Sequence, residues 1–103
     1  MTTLERLQRW YTRQCDGEWE HQFGVSIETC DNPGWLVKIQ LADTALEETE
    51  FTPIAENVDA AEFQTDERWL TCRKVGTEWH GAGDETKLES ILTNFLDWAE
   101  RKQ

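Results

Sequence analysis

Two runs with a period of two, joined by a short turn, constrain this chain more than any other feature. Phe23, Val25 and Ile27 alternate with Gly24, Ser26 and Glu28. Trp35, Val37, Ile39 and Leu41 then alternate with Leu36, Lys38 and Gln40. Successive side chains of a strand point to opposite faces, so each run is a strand with one apolar face. Between them lies Asp31-Asn32-Pro33-Gly34. Pro33 presets φ at the first central position of a type II turn, and Gly34 supplies positive φ at the second. The pattern predicts an antiparallel hairpin whose apolar face must be covered by something else in the chain.

Two segments have the periodicity to cover it. Thr2-x-x-Glu5 is a capping-box pattern that starts a helix. Leu4, Leu7, Trp10 and Tyr11 follow on one arc, with Arg6, Arg9 and Arg13 beside it as a basic ridge, and Gly17 at or beyond the end. Near the other terminus, Leu88, Ile91, Leu92, Phe95, Leu96, Trp98 and Ala99 fill one wide arc opposite Ser90, Thr93, Asp97 and Arg101.

The middle is less regular. Residues 50–56 read as a short strand that Pro53 confines to an edge. Residues 59–65 read as a loop or one helical turn. Residues 68–75 alternate with apolar residues on both faces, which implies burial on both sides. Gly76-Thr77 suits a two-residue turn with glycine first, and Glu78-Trp79-His80 continues as a strand. Gly81-Ala82-Gly83 is expected to break that strand, and Asp84 to cap the last helix. The expected fold is α+β: an N-terminal helix, four to five mostly antiparallel strands and a C-terminal amphipathic helix, with both helices on one face. A chain of 103 residues makes one domain, 1–103.

Charge and cysteine usage narrow the function. The net charge is −11, and no Lys or Arg occurs from Ile39 to Glu67. That window holds Asp43, Glu47, Glu48, Glu50, Glu56, Asp59, Glu62, Asp66 and Glu67. Such a chain repels nucleic-acid phosphates and suits a basic protein partner. Solubility alone would account for the acids equally well. Cys15, Cys30 and Cys72 are odd in number and widely spaced, which fits neither a disulfide framework nor a zinc ribbon. No apolar run approaches the length of a membrane span and no leader pattern is present, so a cytoplasmic protein is expected.

No catalytic constellation assembles. His21 and His80 are the only histidines, and no pair of possible ligands has the local spacing that prearranges a metal site. Cys72 sits inside a strand pattern without a glycine-rich loop after it, and neither Ser26 nor Ser90 lies on a nucleophile elbow. Gly81-Ala-Gly83 before a helix would suit an anion, but Asp84 and Glu85 oppose one there. Trp10, Trp69 and Trp98 belong to predicted apolar faces. Trp19, Trp35 and Trp79 stand at loop or strand ends, where they serve either as contact residues or as packing against the turn and the first helix.

The stretch from Cys15 to Trp35, with Trp19-Glu-His21, Gly24 and Asp31-Asn-Pro-Gly-Trp35, resembles the signature of the bacterial immunity protein 53 family. Trp10-Tyr11, Trp69-Leu-Thr-Cys72 and Phe95-Leu-Asp-Trp98 extend the resemblance over nearly the whole chain; the acidic middle matches only loosely. The resemblance implies an intracellular protein of a toxin–immunity locus. It implies no catalytic residues.

The expected function is stoichiometric neutralisation of a cognate toxin with a basic surface. It involves no catalysis, cofactor or metal, no nucleic acid and no membrane, and the protein is a monomer or weak dimer. The expected contact residues are Glu47, Glu48, Glu50, Glu56, Asp59, Glu62, Asp66 and Glu67, followed by Glu18, Glu20 and Asp31. The competing expectation is a small enzyme or ligand-binding domain with a pocket near Trp19, His21 and His80. A carbohydrate-binding module is a third class; it predicts coplanar exposed tryptophans, and its usual secretion signal is absent.

Overall fold

The computed structural model describes residues 1–58 and 68–102. Helix α1 (Thr3–Gln14) begins at the expected capping box: the Thr2 hydroxyl accepts from Glu5 N at 3.1 Å, and Glu5 Oε1 accepts from Thr2 N at 2.9 Å. Both bonds satisfy donors that the first turn would otherwise leave open. A short helix α2 (Trp19–Gln22) leads into β1 (Val25–Cys30) and β2 (Gly34–Gln40). Strand β3 (Ile54–Glu56), β4 (Leu70–Val75) and β5 (Glu78–Gly83) follow, and helix α3 (Leu88–Lys102) completes the chain. The five strands form one antiparallel sheet in the order β1-β2-β5-β4-β3. This is the expected α+β arrangement, with the region 59–65 outside the described residues.

The core lies between the sheet and the helices. Val37 and Ile39 of β2, Leu70 and Cys72 of β4, and Trp79 of β5 share it with Ile91, Leu92, Phe95, Leu96, Trp98 and Ala99 of α3. Leu7, Trp10 and Trp19 complete it from α1 and α2. Aromatic edges meet ring faces at its centre: Phe95 stands T-shaped to Trp10 at 5.0 Å and to Trp79 at 5.2 Å, and Phe51 to Trp98 at 5.2 Å. That geometry is the favoured one for ring quadrupoles. Arg6 ties α1 to α3, donating to Asp97 Oδ1 and to both oxygens of Glu100, each at 2.9 Å.

Several expectations are corrected. The Asn32–Pro33 peptide is cis, and Gly34 is not at positive φ, so the turn is not type II. Gly34 is required for a different reason. A Cβ there would lie 2.5 Å from the carbonyl oxygen of Gly83 and 2.9 Å from Cys30 Sγ. Gly81 and Gly83 do not break β5 but lie within it, on its inner face. A Cβ on Gly81 would run into Ile91 and Trp79, and one on Gly83 would stand 2.7 Å from Lys87 Cβ. These glycines let α3 settle against the central strand.

Asp84 does not cap α3, which starts at Leu88. Its buried carboxylate organises the preceding turn, accepting from Thr86 N and Thr86 Oγ1. Strand β4 is not buried on both sides: Leu70 and Cys72 face the core, but Arg73 and Val75 are exposed on the outer face. Leu4 and Tyr11, expected beneath α1, are exposed too. The β4–β5 turn agrees with expectation, with Gly76 at φ +61°.

Candidate functional site: an acidic loop held by its carbonyls

The segment after β2 enters with Leu41 fully buried and turns back at Asp43, which has φ +60°. Leu46 plugs the core from below. Around these anchors the exposed positions are Asp43, Ala45, Glu48 and Glu50. An alternation of buried apolar and exposed acidic residues in a non-helical segment needs its backbone polar groups satisfied from elsewhere.

Three side chains meet that need. The Trp19 indole N–H donates to the Ala42 carbonyl at 2.8 Å. The Lys74 ammonium donates to the carbonyl oxygens of Leu46, Glu47 and Thr49 at 3.2, 2.5 and 2.9 Å. The Trp98 indole N–H donates to the Glu50 carbonyl at 2.9 Å. Lys74 projects from the sheet's inner face, on the part of β4 beyond the end of β3. Its ammonium has three hydrogens, matched here by three carbonyls rather than by a carboxylate. Among the described residues none of Asp43, Glu47, Glu48 or Glu50 forms an ion pair. The positive charge inside the loop thus binds backbone, and Asp43, Glu48 and Glu50 remain exposed.

The Trp19–Ala42 bond also brings a second acidic turn to this end of the domain. Asp16 Oδ1 accepts from Glu18 N and Trp19 N, each at 2.9 Å, and these bonds hold its carboxyl below the usual carboxylate range. Glu20 turns back on the same turn: its oxygens accept from Asp16 N and Gly17 N. Backbone N–H groups, its own first, hold the Glu20 carboxyl low as well. Glu18 is exposed.

The expected contact residues therefore divide. Glu18, Glu48 and Glu50, joined by Asp43, are exposed at the end formed by α2 and the β2–β3 segment. Glu20 is half-buried and holds its own turn. Glu47 is half-buried and accepts from Asp43 N at 2.8 Å. Asp31 and Glu56 are exposed at the opposite end, beside the β1–β2 turn and the start of β4. A six-residue strand separates the two ends by roughly 20 Å. Asp59, Glu62, Asp66 and Glu67 lie outside the described residues. Among the described residues, the acids of the window fall at two ends of the sheet rather than on one face. Asp16 and Lys74 escape a reading by charge clusters alone. An isolated lysine at an inward-facing strand position was the available signal for the second.

The alternative constellation does not converge. Trp19 is buried in the core, with its polar atom committed to Ala42. His80 lies on the sheet's other face, where Nε2 meets Glu78 Oε1 at 2.9 Å. His21 is exposed on α2. Trp79 is fully buried, and Trp35 is half-buried with its N–H on the Glu85 carbonyl at 3.0 Å, so these tryptophans form no coplanar exposed platform. No group of three or more His, Cys, Asp or Glu side chains among the described residues is arranged to hold a metal ion. No helix among them is long and apolar enough to cross a membrane.

A family model described as immunity protein 53 matches residues 4–100. No curated protein sequence and no solved structure gives a significant match.

Proposed function

The chain belongs to the immunity protein 53 family, and on that premise we propose that it neutralises a cognate toxin domain by binding it through Glu18, Asp43, Glu48 and Glu50. The carrying observation is the loop whose Ala42, Leu46, Glu47, Thr49 and Glu50 carbonyls bond Trp19, Lys74 and Trp98 while Asp43, Glu48 and Glu50 stay exposed, with no ion pair among the described residues. A loop already ordered in the free protein gives up little conformational entropy on binding. An unpaired acidic surface accelerates encounter with a basic protein and orients it. The complex is stoichiometric and needs no cofactor, and inhibition proceeds by covering the toxin rather than by chemistry. The protein acts in the cytoplasm, where the toxin would otherwise act on the producing cell. Asp31 and Glu56, at the far end, lie outside the main contact.

The test is co-expression and co-purification with a catalytically silenced toxin domain encoded beside this gene, followed by a titration of the active toxin with the purified protein. A one-to-one complex that abolishes activity is expected. Absence of a complex, or inhibition at far below one equivalent, contradicts the proposal.

A further inference from the structure

The two edges of the sheet are built differently. The β3 edge is three residues long, follows Pro53 and ends at Asn57 with φ +56°. Short length, proline and a local kink are the usual protections of an exposed edge. The β1 edge has none of them. It runs six residues, Val25–Cys30, without proline, lysine or positive φ, and among the described residues β2 is its one neighbour.

The ladder tells which backbone groups that edge presents. Gln40 N donates to Gly24 O at 3.1 Å. In an antiparallel pair, hydrogen-bonded and non-hydrogen-bonded positions alternate. With Ser26 opposite Lys38 and Glu28 opposite Leu36, those two residues bond β2. Val25, Ile27 and Thr29 then aim their N–H and C=O groups away from the sheet. Their side chains lie on the inner face, where Ile27 is 39% exposed. Beside them is an apolar groove of about 330 Å³ lined by Leu7, Gln8, Tyr11, Gly24 and Val25, with exposed Leu4 on the same helix.

We infer that β1 is a homodimerisation edge, taking β1 of a second copy of this chain in antiparallel register about a two-fold axis at Ile27. The strand is self-complementary in that register. Ile27 opposes the second copy's Ile27, and Val25 opposes its Thr29. All three outward-facing residues then sit at hydrogen-bonded pairs. On the other face Ser26 opposes the second copy's Glu28; its hydroxyl already donates to Glu28 of its own strand at 3.0 Å. No like charges stand directly opposite one another, so the register carries no local repulsion. An isologous interface of this kind closes on itself, and among the described residues it leaves the protected β3 edges outside the pairing. It is smaller than a standard protein–protein interface, so the dimer is weak and concentration-dependent. The inference is independent of the toxin-binding surface.

Charge gives the dimer a distinctive signature. Each copy carries −11 overall, but the interface contains no ion pair, so screening removes repulsion and no attraction. Dimerisation therefore strengthens with salt. Sedimentation equilibrium of the full chain, from micromolar to millimolar concentration, reads this directly. The mass is expected to rise from 12.1 kDa toward twice that value, with a dissociation constant that falls severalfold between about 0.1 M and about 1 M salt. Thr29→Pro removes an outward N–H that β2 does not use, and should leave a folded monomer. Ile27→Lys, which adds a charge at the exposed edge, should do the same and covers the case in which the proline variant fails to fold. A wild-type chain that stays monomeric at millimolar concentration in high salt overturns the inference. So does a dimer that survives both substitutions. A monomeric wild type whose toxin complex is lost in Thr29→Pro would assign the edge to a strand of the toxin instead.

Discussion

The indole N–H of Trp19 lies 2.8 Å from the carbonyl oxygen of Ala42, and this bond joins the turn carrying Glu18 to the loop carrying Asp43. Trp19→Phe keeps a smaller aromatic ring in the core but removes the donor, leaving a part-buried carbonyl short of a partner. The expected cost is about 1–2 kcal/mol in folding stability, read by urea denaturation. A midpoint equal to wild type would show that the bond is not needed to hold the two segments together.

Lys74 should matter more to the loop than to the rest of the domain. Lys74→Met preserves the length of the side chain and removes all three donors to Leu46, Glu47 and Thr49. Hydrogen bonds from a charged donor each contribute more than neutral ones, so a total loss of about 1–3 kcal/mol is expected. Amide exchange should accelerate at residues 44–50 while α3 amides keep their protection. Uniform acceleration across the chain would make Lys74 a global rather than a local support.

Gly34 tests the corrected account of the hairpin turn. If the requirement were positive φ, an alanine would be strained by the backbone alone. The structure instead places Gly83 O where the new methyl must go. Gly34→Ala should cost about 1–3 kcal/mol as overpacking, and the larger Gly34→Val should cost more. In the positive-φ account Gly34→Asn would be tolerated; here it should be as damaging as valine.

Cys72 gives a pH signature. Burial first, and the nearby charge of Glu56 next, push its thiol up to about 12, partly offset by a hydrogen bond with Asn94. A group whose pKa is raised by folding favours the folded state while it is protonated. That contribution is complete below the unfolded value near 9 and is lost as pH climbs toward about 12, at up to about 1.4 kcal/mol per unit. Cys72→Ala should flatten the decline of stability above pH 9 relative to wild type. Native alkylation at pH 8 should modify Cys15 and Cys30 and spare Cys72, and denaturation should expose all three thiols.

Much of the fold could be read from the chain because its signals are local. The Thr2–Glu5 capping box, the alternation through β1 and β2, and the apolar arc of α3 each report their own element. The failures share a different cause. Gly34, Gly81 and Gly83 look like turn formers in sequence, yet their role is set by atoms of Gly83, Ile91 and Lys87, which no local pattern reveals. Asp84 looks like a cap but bonds Thr86 within a tighter turn. The acids proposed as contacts are visible in the sequence, but their grouping is not. Glu47 and Glu20 are half-buried and accept from backbone N–H groups, whereas Glu48 and Glu18 are exposed, and Asp31 and Glu56 are separated from the loop by the length of the strands.

Association kinetics with the toxin domain test the central claim most directly. The variant Asp43→Lys/Glu48→Lys/Glu50→Lys reverses the exposed charges and leaves Glu47 and Lys74 in place. Its association rate should fall at least about tenfold at 0.1 M salt, with the gap to wild type closing toward 1 M as the Debye length shrinks from about 10 Å to about 3 Å. Its folding stability should change by less than about 1 kcal/mol, since these side chains are exposed and unpaired. An unchanged association rate and salt dependence, with binding lost instead in Asp31→Lys/Glu56→Lys, would contradict the account and move the contact to the opposite end of the sheet.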